Sequence, residues 1–178
     1  MKKRLLILGG IILLAIILII VVYILKNQST DQWKIYENSR YQFSLNYPSD
    51  WQLGEEPTNH DGMVFSSPDG KKECRAYGFN NALTGTNNQP QSLNEYIDWL
   101  IGDDVQLISK KQSKLSDYEA IQLVTEEGSL ISEAIYALGK ESGRGLVCTF
   151  GNTLDQQNFS STFEAMSASF KIKANLDG

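Results

Sequence analysis

The most pronounced pattern along the chain is an uninterrupted apolar run close to its N-terminus. The 21 residues from Leu5 to Leu25 include no charged or strongly polar side chain. As a helix they would extend about 31 Å, which matches the roughly 30 Å hydrocarbon core of a bilayer. The pattern therefore predicts a transmembrane helix over residues 5–25.

The charges around this run predict its orientation. Lys2, Lys3 and Arg4 precede it, and only Lys26 follows it closely. Basic residues stay on the cytoplasmic side, so residues 1–4 are expected in the cytoplasm and the remainder outside. A cleaved signal peptide is the alternative, but its apolar region is shorter and ends in a small-x-small cleavage site. The run lacks such a site, which favours a retained signal-anchor.

Beyond the anchor, residues 26–35 are predicted to form a stalk, residues 36–174 a folded domain and residues 175–178 a tail. Strict alternation of Tyr41, Phe43 and Leu45 with polar residues is typical of a half-buried strand. Similar patterns, separated by Pro, Gly and Asp turn signals, predict further strands near residues 51–53, 63–66, 72–80, 105–115, 118–126, 130–138 and 145–150.

Two segments show helical spacing instead. Ser92 and Glu95 form a capping-box pattern before an apolar face at steps of three and four, and Gly102 ends this helix. A second helix is predicted from about residue 155 to 170, with an apolar stripe of Phe159, Phe163, Met166 and Phe170. Strands, a helix, a strand meander and a helix predict an α+β domain with an antiparallel sheet covered by helices.

Several motifs in this domain resemble those of the PsbP-like family. The stretch from Tyr41 to Trp51 reads YQFSLNYPSDW, which is similar to the opening PsbP-like strand that runs into a Tyr-Pro-x-x-Trp corner. The Ser-Leu-x-Glu-Tyr helix start at residues 92–96 and the Ser-Phe-Lys-Ile pattern at residues 169–172 are similar as well. The resemblance covers about residues 36–173.

The resemblance implies a fold and a class of function. The fold would be that of PsbP and the Ran-binding nuclear transport factor, an α/β/α sandwich with a central antiparallel sheet flanked by helices, here preceded by one transmembrane helix. PsbP proteins act as extrinsic subunits or assembly helpers on photosynthetic membrane complexes, and the transport factor binds a small GTPase. The chain departs from photosynthetic PsbP in its anchor and looks similar to bacterial members without assigned roles.

The charge balance limits the partners of the domain. Beyond Lys26 the chain carries 12 basic and 21 acidic residues, a net charge of 12 − 21 = −9. Such a domain is repelled by nucleic acid and by anionic lipid surfaces. Contact with membrane lipid is therefore expected only through the N-terminal helix, and the charge of the domain favours a cationic partner or none. A protein partner at the membrane is expected from the anchor and the family resemblance.

Residues with catalytic or metal-binding chemistry are sparse. His60 is the only histidine, which excludes a Ser-His-Asp triad and a multi-histidine metal site. The acid pairs Asp103-Asp104 and Glu126-Glu127 lack the spacing of a calcium loop and are expected to be solvated turns. We therefore predict no catalytic, cofactor or metal site, and no enzymatic activity.

Cys74 and Cys148 are the only cysteines. An oxidising compartment favours a disulfide between them. The alternation of Cys148 with Leu146 and Phe150 instead favours a buried free thiol. The sequence leaves both alternatives open.

The leading functional hypothesis is a membrane-anchored extracytoplasmic module without enzymatic activity that docks on another envelope protein. The alternative is a domain that binds a small ligand or a metal in a cleft between sheet and helix. Tyr47, Trp51 and Trp99 are candidates for a binding surface, although buried packing is the more common role of such aromatic residues.

Overall fold

The computed structural model describes residues 33–80, 90, 92–102, 105–151 and 153–177. This part of the chain contains ten strands and two helices. In chain order these are β1 (Trp33–Asn38), β2 (Phe43–Pro48), β3 (Gln52–Leu53), β4 (Gly62–Ser66), β5 (Lys72–Asn80), α1 (Leu93–Ile101), β6 (Gln106–Leu115), β7 (Tyr118–Glu127), β8 (Leu130–Leu138), β9 (Ser142–Phe150), α2 (Thr153–Ser169) and β10 (Lys171–Ile172).

The strands form two sheets. The larger sheet has seven strands in the order β3-β4-β5-β9-β8-β7-β6, and the smaller has three in the order β1-β2-β10. Strands β6 to β9 are a meander of antiparallel neighbours, and β9 then pairs with β5. In the smaller sheet, Lys171 pairs with Ser44 and Ile172 with Phe43, so strands from opposite ends of the domain lie side by side.

The predicted α/β/α sandwich is wrong. The domain is mostly β-sheet, with two sheets and only two helices in the described residues. The prediction failed because the sequence pattern indicates strands but not their partners. Strand β2 was expected within one central sheet, whereas it lies in a second sheet between β1 and β10, neither of which was predicted as a strand.

The core lies between the smaller sheet, α2 and one face of the larger sheet, which we call the inner face. The Phe43 ring of β2 stacks on Phe170 with ring centroids 5.0 Å apart, and Tyr47 packs against Phe65 of β4 at 4.9 Å. Phe163 and Met166 of α2 are fully buried. The inner face is therefore covered.

The ends of α1 agree with the sequence prediction. The Ser92 hydroxyl accepts a hydrogen bond from the Glu95 backbone N–H at 3.2 Å. At the other end Gly102 has a φ of 62°, a conformation that glycine adopts without a steric penalty from a Cβ atom. The predicted Ser92 cap and the glycine end are confirmed.

The predicted transmembrane segment, residues 5–25, lies outside the described residues. Within the described part of the chain, no helix has the length and apolar character needed to cross a bilayer. Strand β1 begins at Trp33, inside the predicted stalk, and Leu176 in the predicted tail is buried.

Candidate functional site

The opposite face of the larger sheet, which we call the outer face, is covered by α1 over part of its area. Because side chains alternate along a strand, Leu123, Ala134 and Tyr136 point to this face. Together with Ile121 they pack around Ile97, the buried residue of α1. The helix is thus fixed to the sheet through one side chain and its immediate neighbours.

A cleft of about 270 Å³ opens on the outer face at the C-terminal end of α1. We call it the α1 cleft. Strands β7, β8 and β9 form its floor, and Leu100 and Ile101 of α1 with Val105 form part of its wall. Its apolar lining residues are Leu100, Ile101, Val105, Leu123, Leu130, Ala134 and Val147.

The α1 cleft also contains hydroxyl groups, contributed by Thr125, Ser132, Tyr136 and Thr149. The Ser132 and Thr149 hydroxyls are hydrogen-bonded to each other at 3.0 Å. Glu127 is the one charged residue among the described residues of the lining. The cleft therefore suits an apolar group that carries a hydrogen-bonding or cationic substituent.

A cluster of aromatic rings supports the cleft beside α1. Phe79 of β5 stacks on Tyr96 of α1 with centroids 5.3 Å apart and an interplanar angle of 8°. Two glycines of β9 leave room for these rings: a Cβ at Gly143 would lie 2.4 Å from the Phe79 ring, and one at Gly145 would lie 2.9 Å from Tyr136. The glycines thus permit the close packing of aromatic residues here.

The tyrosines of this cluster are hydrogen-bonding groups rather than bases. Burial raises the pKa of Tyr96 to about 12. Burial also raises the pKa of Tyr136 well above its ordinary value, and that of Tyr77 as well. The Tyr77 and Tyr136 hydroxyls lie 3.4 Å apart. A phenol of ordinary pKa is already protonated at neutral pH, and burial raises the pKa of these three further because ionisation would place a charge in a desolvated site.

Exposed apolar side chains lie on α1, β6 and β8, in or next to residues that line the α1 cleft or pair with its lining. Trp99 of α1 is 67% exposed, Leu130 of β8 is 49% exposed and Leu107 of β6 is 41% exposed. Leu100 and Leu130 also line the cleft, and Leu107 pairs across the sheet with Thr125 of the lining. The set, which we call the apolar rim, consists of Trp99, Leu100, Leu107, Ile108 and Leu130.

No protein-family model and no curated protein matches the chain, but solved structures do. Cyanobacterial PsbP (CyanoP) from Synechocystis sp. is 11% identical with a TM-score of 0.57, covering 82% of this chain and 95% of that one. LpqN, described as involved in cell envelope biogenesis of Mycobacterium tuberculosis, is 12% identical at 0.56, covering 80% and 91%. The Saccharomyces cerevisiae Ran-binding protein Mog1p is 7% identical at 0.53, covering 82% and 96%.

The chain has the PsbP-like fold. The structural similarity therefore confirms the predicted resemblance at the level of fold. The identities are too low to extend it to function. In this PsbP-like domain the α1 cleft and the apolar rim are the features that a core-packing role does not explain.

The predicted site residues lie in different places on the PsbP-like domain. His60 is an exposed loop residue whose Nδ1 lies 2.9 Å from Glu56 Oε1. Asp103 and Asp104 lie outside the described residues. Glu127, the last residue of β7, is the one member of the two acid pairs that reaches the α1 cleft among described residues.

The three candidate aromatic residues also lie in different environments. Tyr47 and Trp51 are buried, whereas Trp99 is exposed in the apolar rim. The cleft hydroxyls were missed because Thr125, Ser132 and Thr149 look like ordinary surface positions of half-buried strands. Only knowledge of which strands are adjacent would have brought them together.

Two buried charged residues on the inner face form hydrogen bonds within the fold. The Arg144 guanidinium donates to the Tyr41 carbonyl and to the Gly143 carbonyl, both at 2.8 Å. The Glu133 carboxylate accepts hydrogen bonds from Gln122 and Ser160, and desolvation raises its pKa. These bonds satisfy both groups within the fold, away from the α1 cleft.

Proposed function

We propose that this chain is a membrane-anchored, extracytoplasmic binding module without catalytic activity that docks on another envelope protein. In this proposal residues 5–25 are the anchor, residues 1–4 are cytoplasmic and residues 26–35 form a stalk. The domain over residues 36–174 then lies outside the cytoplasm, close to membrane proteins. The length of the apolar run and its flanking charges support this placement.

The observation that carries the docking proposal is the apolar rim beside the α1 cleft, two of whose members, Leu100 and Leu130, also line the cleft. Single exposed apolar residues are ordinary on protein surfaces, whereas adjacent ones around a concave site are typical of binding surfaces. Tryptophan is enriched among the residues that dominate interface energies. Trp99 and Leu100 would therefore contact the partner, and the cleft would receive one of its side chains.

The fold neighbours support binding over catalysis. Mog1p is a Ran-binding protein, and LpqN is involved in cell envelope biogenesis. In the described residues, no three His, Cys, Asp or Glu side chains are grouped so that they would hold a metal ion. A docking function requires none of these groups.

Crosslinking in native membranes tests the docking proposal. The full-length chain carrying Trp99→Ala and Leu100→Ala should give at least about tenfold less of its specific crosslinked product than the unmodified chain, since about 1.4 kcal/mol of lost contact energy suffices. A matched control is Ile35→Ala with Leu53→Ala, which also truncates two exposed apolar residues but lies on β1 and β3. Equal loss in both variants, or no loss in either, would contradict docking through the rim.

A second candidate function is favoured by the volume and lining of the α1 cleft. At about 270 Å³ it lies just below the range of about 300–1,000 Å³ typical of small-molecule sites. It would hold a small apolar molecule, and the Ser132 and Thr149 hydroxyls would bond a polar substituent.

Thermal unfolding with phenol and toluene tests the second candidate. At a concentration 100 times its Kd, a ligand stabilises the native state by about 2.7 kcal/mol, so the unfolding temperature of the full-length chain should rise. Replacing Ser132 and Thr149 by alanine should reduce the shift with phenol but not with toluene. The control is Ser109→Ala with Ser113→Ala on β6. Absence of a shift with both compounds would exclude this function for ligands of that size.

A further inference from the structure

Strand β6 is the edge strand of the larger sheet. The strand order ends at β6, whose described pairing partner is β7. Of its ten residues, only Leu115 is buried. On an antiparallel edge strand, every second residue directs its N–H and C=O away from the sheet, and these groups form a template for another strand.

The composition of β6 is unlike that of the rest of the domain. The strand carries Lys110, Lys111 and Lys114 and no acidic residue, in a chain whose segment beyond Lys26 has a net charge of −9. Lys110 is engaged by Asp98 of α1, with Nζ 2.7 Å from Oδ1. Lys111 and Lys114 are exposed. The edge is therefore a basic strip on an acidic domain.

The first part of β6 is apolar instead of basic. Leu107 and Ile108 are exposed members of the apolar rim, and the pairing with β7 shifts register between Leu107 and Ser109. A segment that docks along β6 would therefore meet apolar side chains beside the α1 cleft and positive charge farther along the strand.

We propose that the open edge of β6 binds an extended acidic segment of the envelope partner by strand addition. The inference rests on the proposed docking function and names the chemistry of its partner. Backbone hydrogen bonds along the edge would provide affinity. Carboxylates opposite Lys111 and Lys114 and apolar side chains next to Leu107 and Ile108 would select the segment.

The charge of β6 distinguishes this partner from a second copy of the chain. Antiparallel pairing of two β6 strands over their lysine-bearing halves would place lysines opposite lysines, and like charges directly opposite are destabilising. Lysines on edge strands discourage pairing of that kind. The same lysines leave an acidic strand as the favoured occupant.

A labelled peptide tests the inference on the full-length chain in zwitterionic detergent. The probe is a fluorescein-labelled ten-residue peptide of Glu and Val in which two Glu lie three positions apart, the separation of Lys111 and Lys114 along β6. Its binding is followed by fluorescence anisotropy. Lys111→Glu with Lys114→Glu should weaken binding at least about tenfold. The control is Lys71→Glu with Lys140→Glu, which changes the net charge equally at exposed residues outside β6 and should leave binding unchanged.

An N-methylated form of the same peptide separates strand addition from charge attraction on the unmodified chain. Methyl groups on every amide preserve the charge but remove the hydrogen-bond donors of both edges of the peptide, so this form should not bind. Equal binding of both forms, equal loss in both charge variants, or no binding of the parent peptide would overturn the inference. So would a dimer of the chain, seen in sedimentation equilibrium, that the peptide fails to dissociate.

The two proposals fail in different ways. If Lys111→Glu with Lys114→Glu leaves the crosslinked partner in place while Trp99→Ala with Leu100→Ala removes it, the docking function stands and strand addition at β6 is excluded. If neither variant affects the crosslinked product, the docking function itself is contradicted.

Discussion

Joining Cys74 to Cys148 should raise the free energy of unfolding of the domain by roughly 4 kcal/mol, on the chain-entropy estimate for a loop of this length. The structure places Cys74 of β5 directly opposite Cys148 of β9 and joins their sulfurs. Both residues are fully buried on the inner face. We propose that this disulfide forms in the protein, as an extracytoplasmic location would allow.

The position of the two cysteines explains why the effect should be large. Strands β3, β4 and β5 come from the first part of the domain, whereas β6 to β9 form the later meander. The pair β5–β9 is where these two parts of the larger sheet meet. A covalent link between Cys74 and Cys148 therefore keeps the two parts of the sheet connected in the unfolded chain and reduces its conformational entropy.

Mass spectrometry and urea unfolding measure the prediction. In denaturant without reductant, an alkylating reagent should add no mass to the full-length chain, and after reduction it should modify two thiols. Reductant should lower the free energy of unfolding of the unmodified chain. It should have no effect on the control variant, Cys74→Ala with Cys148→Ala. Two modified thiols before reduction would instead establish buried free cysteines.

Local structure could be predicted from the sequence because its signals are local. Strand β5 at residues 72–80 and strand β8 at residues 130–138 have the predicted bounds. The helix α1 begins and ends at its predicted capping residues. Each of these elements is defined by the spacing of its own apolar residues and by adjacent turn or capping chemistry.

The division into two sheets could not be predicted from the same signals. Strand β10 contains only Lys171 and Ile172 and pairs with Ser44 and Phe43, which are more than a hundred residues earlier. Two residues show no periodicity, and a partner this distant leaves no trace in local pattern. The apolar stripe of α2 indicated burial but not which sheet would cover it.

The candidate site contains one residue that the sequence suggested and several that depend on tertiary pairing. Trp99 was one of three aromatic candidates, and its exposure follows from its position on the side of α1 that does not face the sheet. The lining hydroxyls of Thr125, Ser132 and Thr149 come from three strands. Their convergence depends on the register of β7, β8 and β9, which follows from tertiary pairing.

Replacing Phe163 by alanine should lower the free energy of unfolding by about 3–5 kcal/mol. The ring is fully buried in α2, and this helix contacts β2 of the smaller sheet as well as β8 and β9 of the larger one. Truncation removes apolar contacts and leaves a cavity that the surrounding structure fills only in part. Both sheets should therefore lose support together.

Urea unfolding of the full-length chain in detergent, followed by far-ultraviolet circular dichroism, measures this loss. The matched control is Glu164→Ala, an exposed neighbour on the same helix, which should change stability by no more than about 0.5 kcal/mol. Phe163 lies on the inner side of the larger sheet, whereas the α1 cleft opens on the outer face. The variant should therefore keep its crosslinked partner under conditions in which it remains folded.

A loss of stability below about 1 kcal/mol would contradict the packing of α2 between the sheets. Loss of the crosslinked partner by the folded variant would show that docking depends on the inner core.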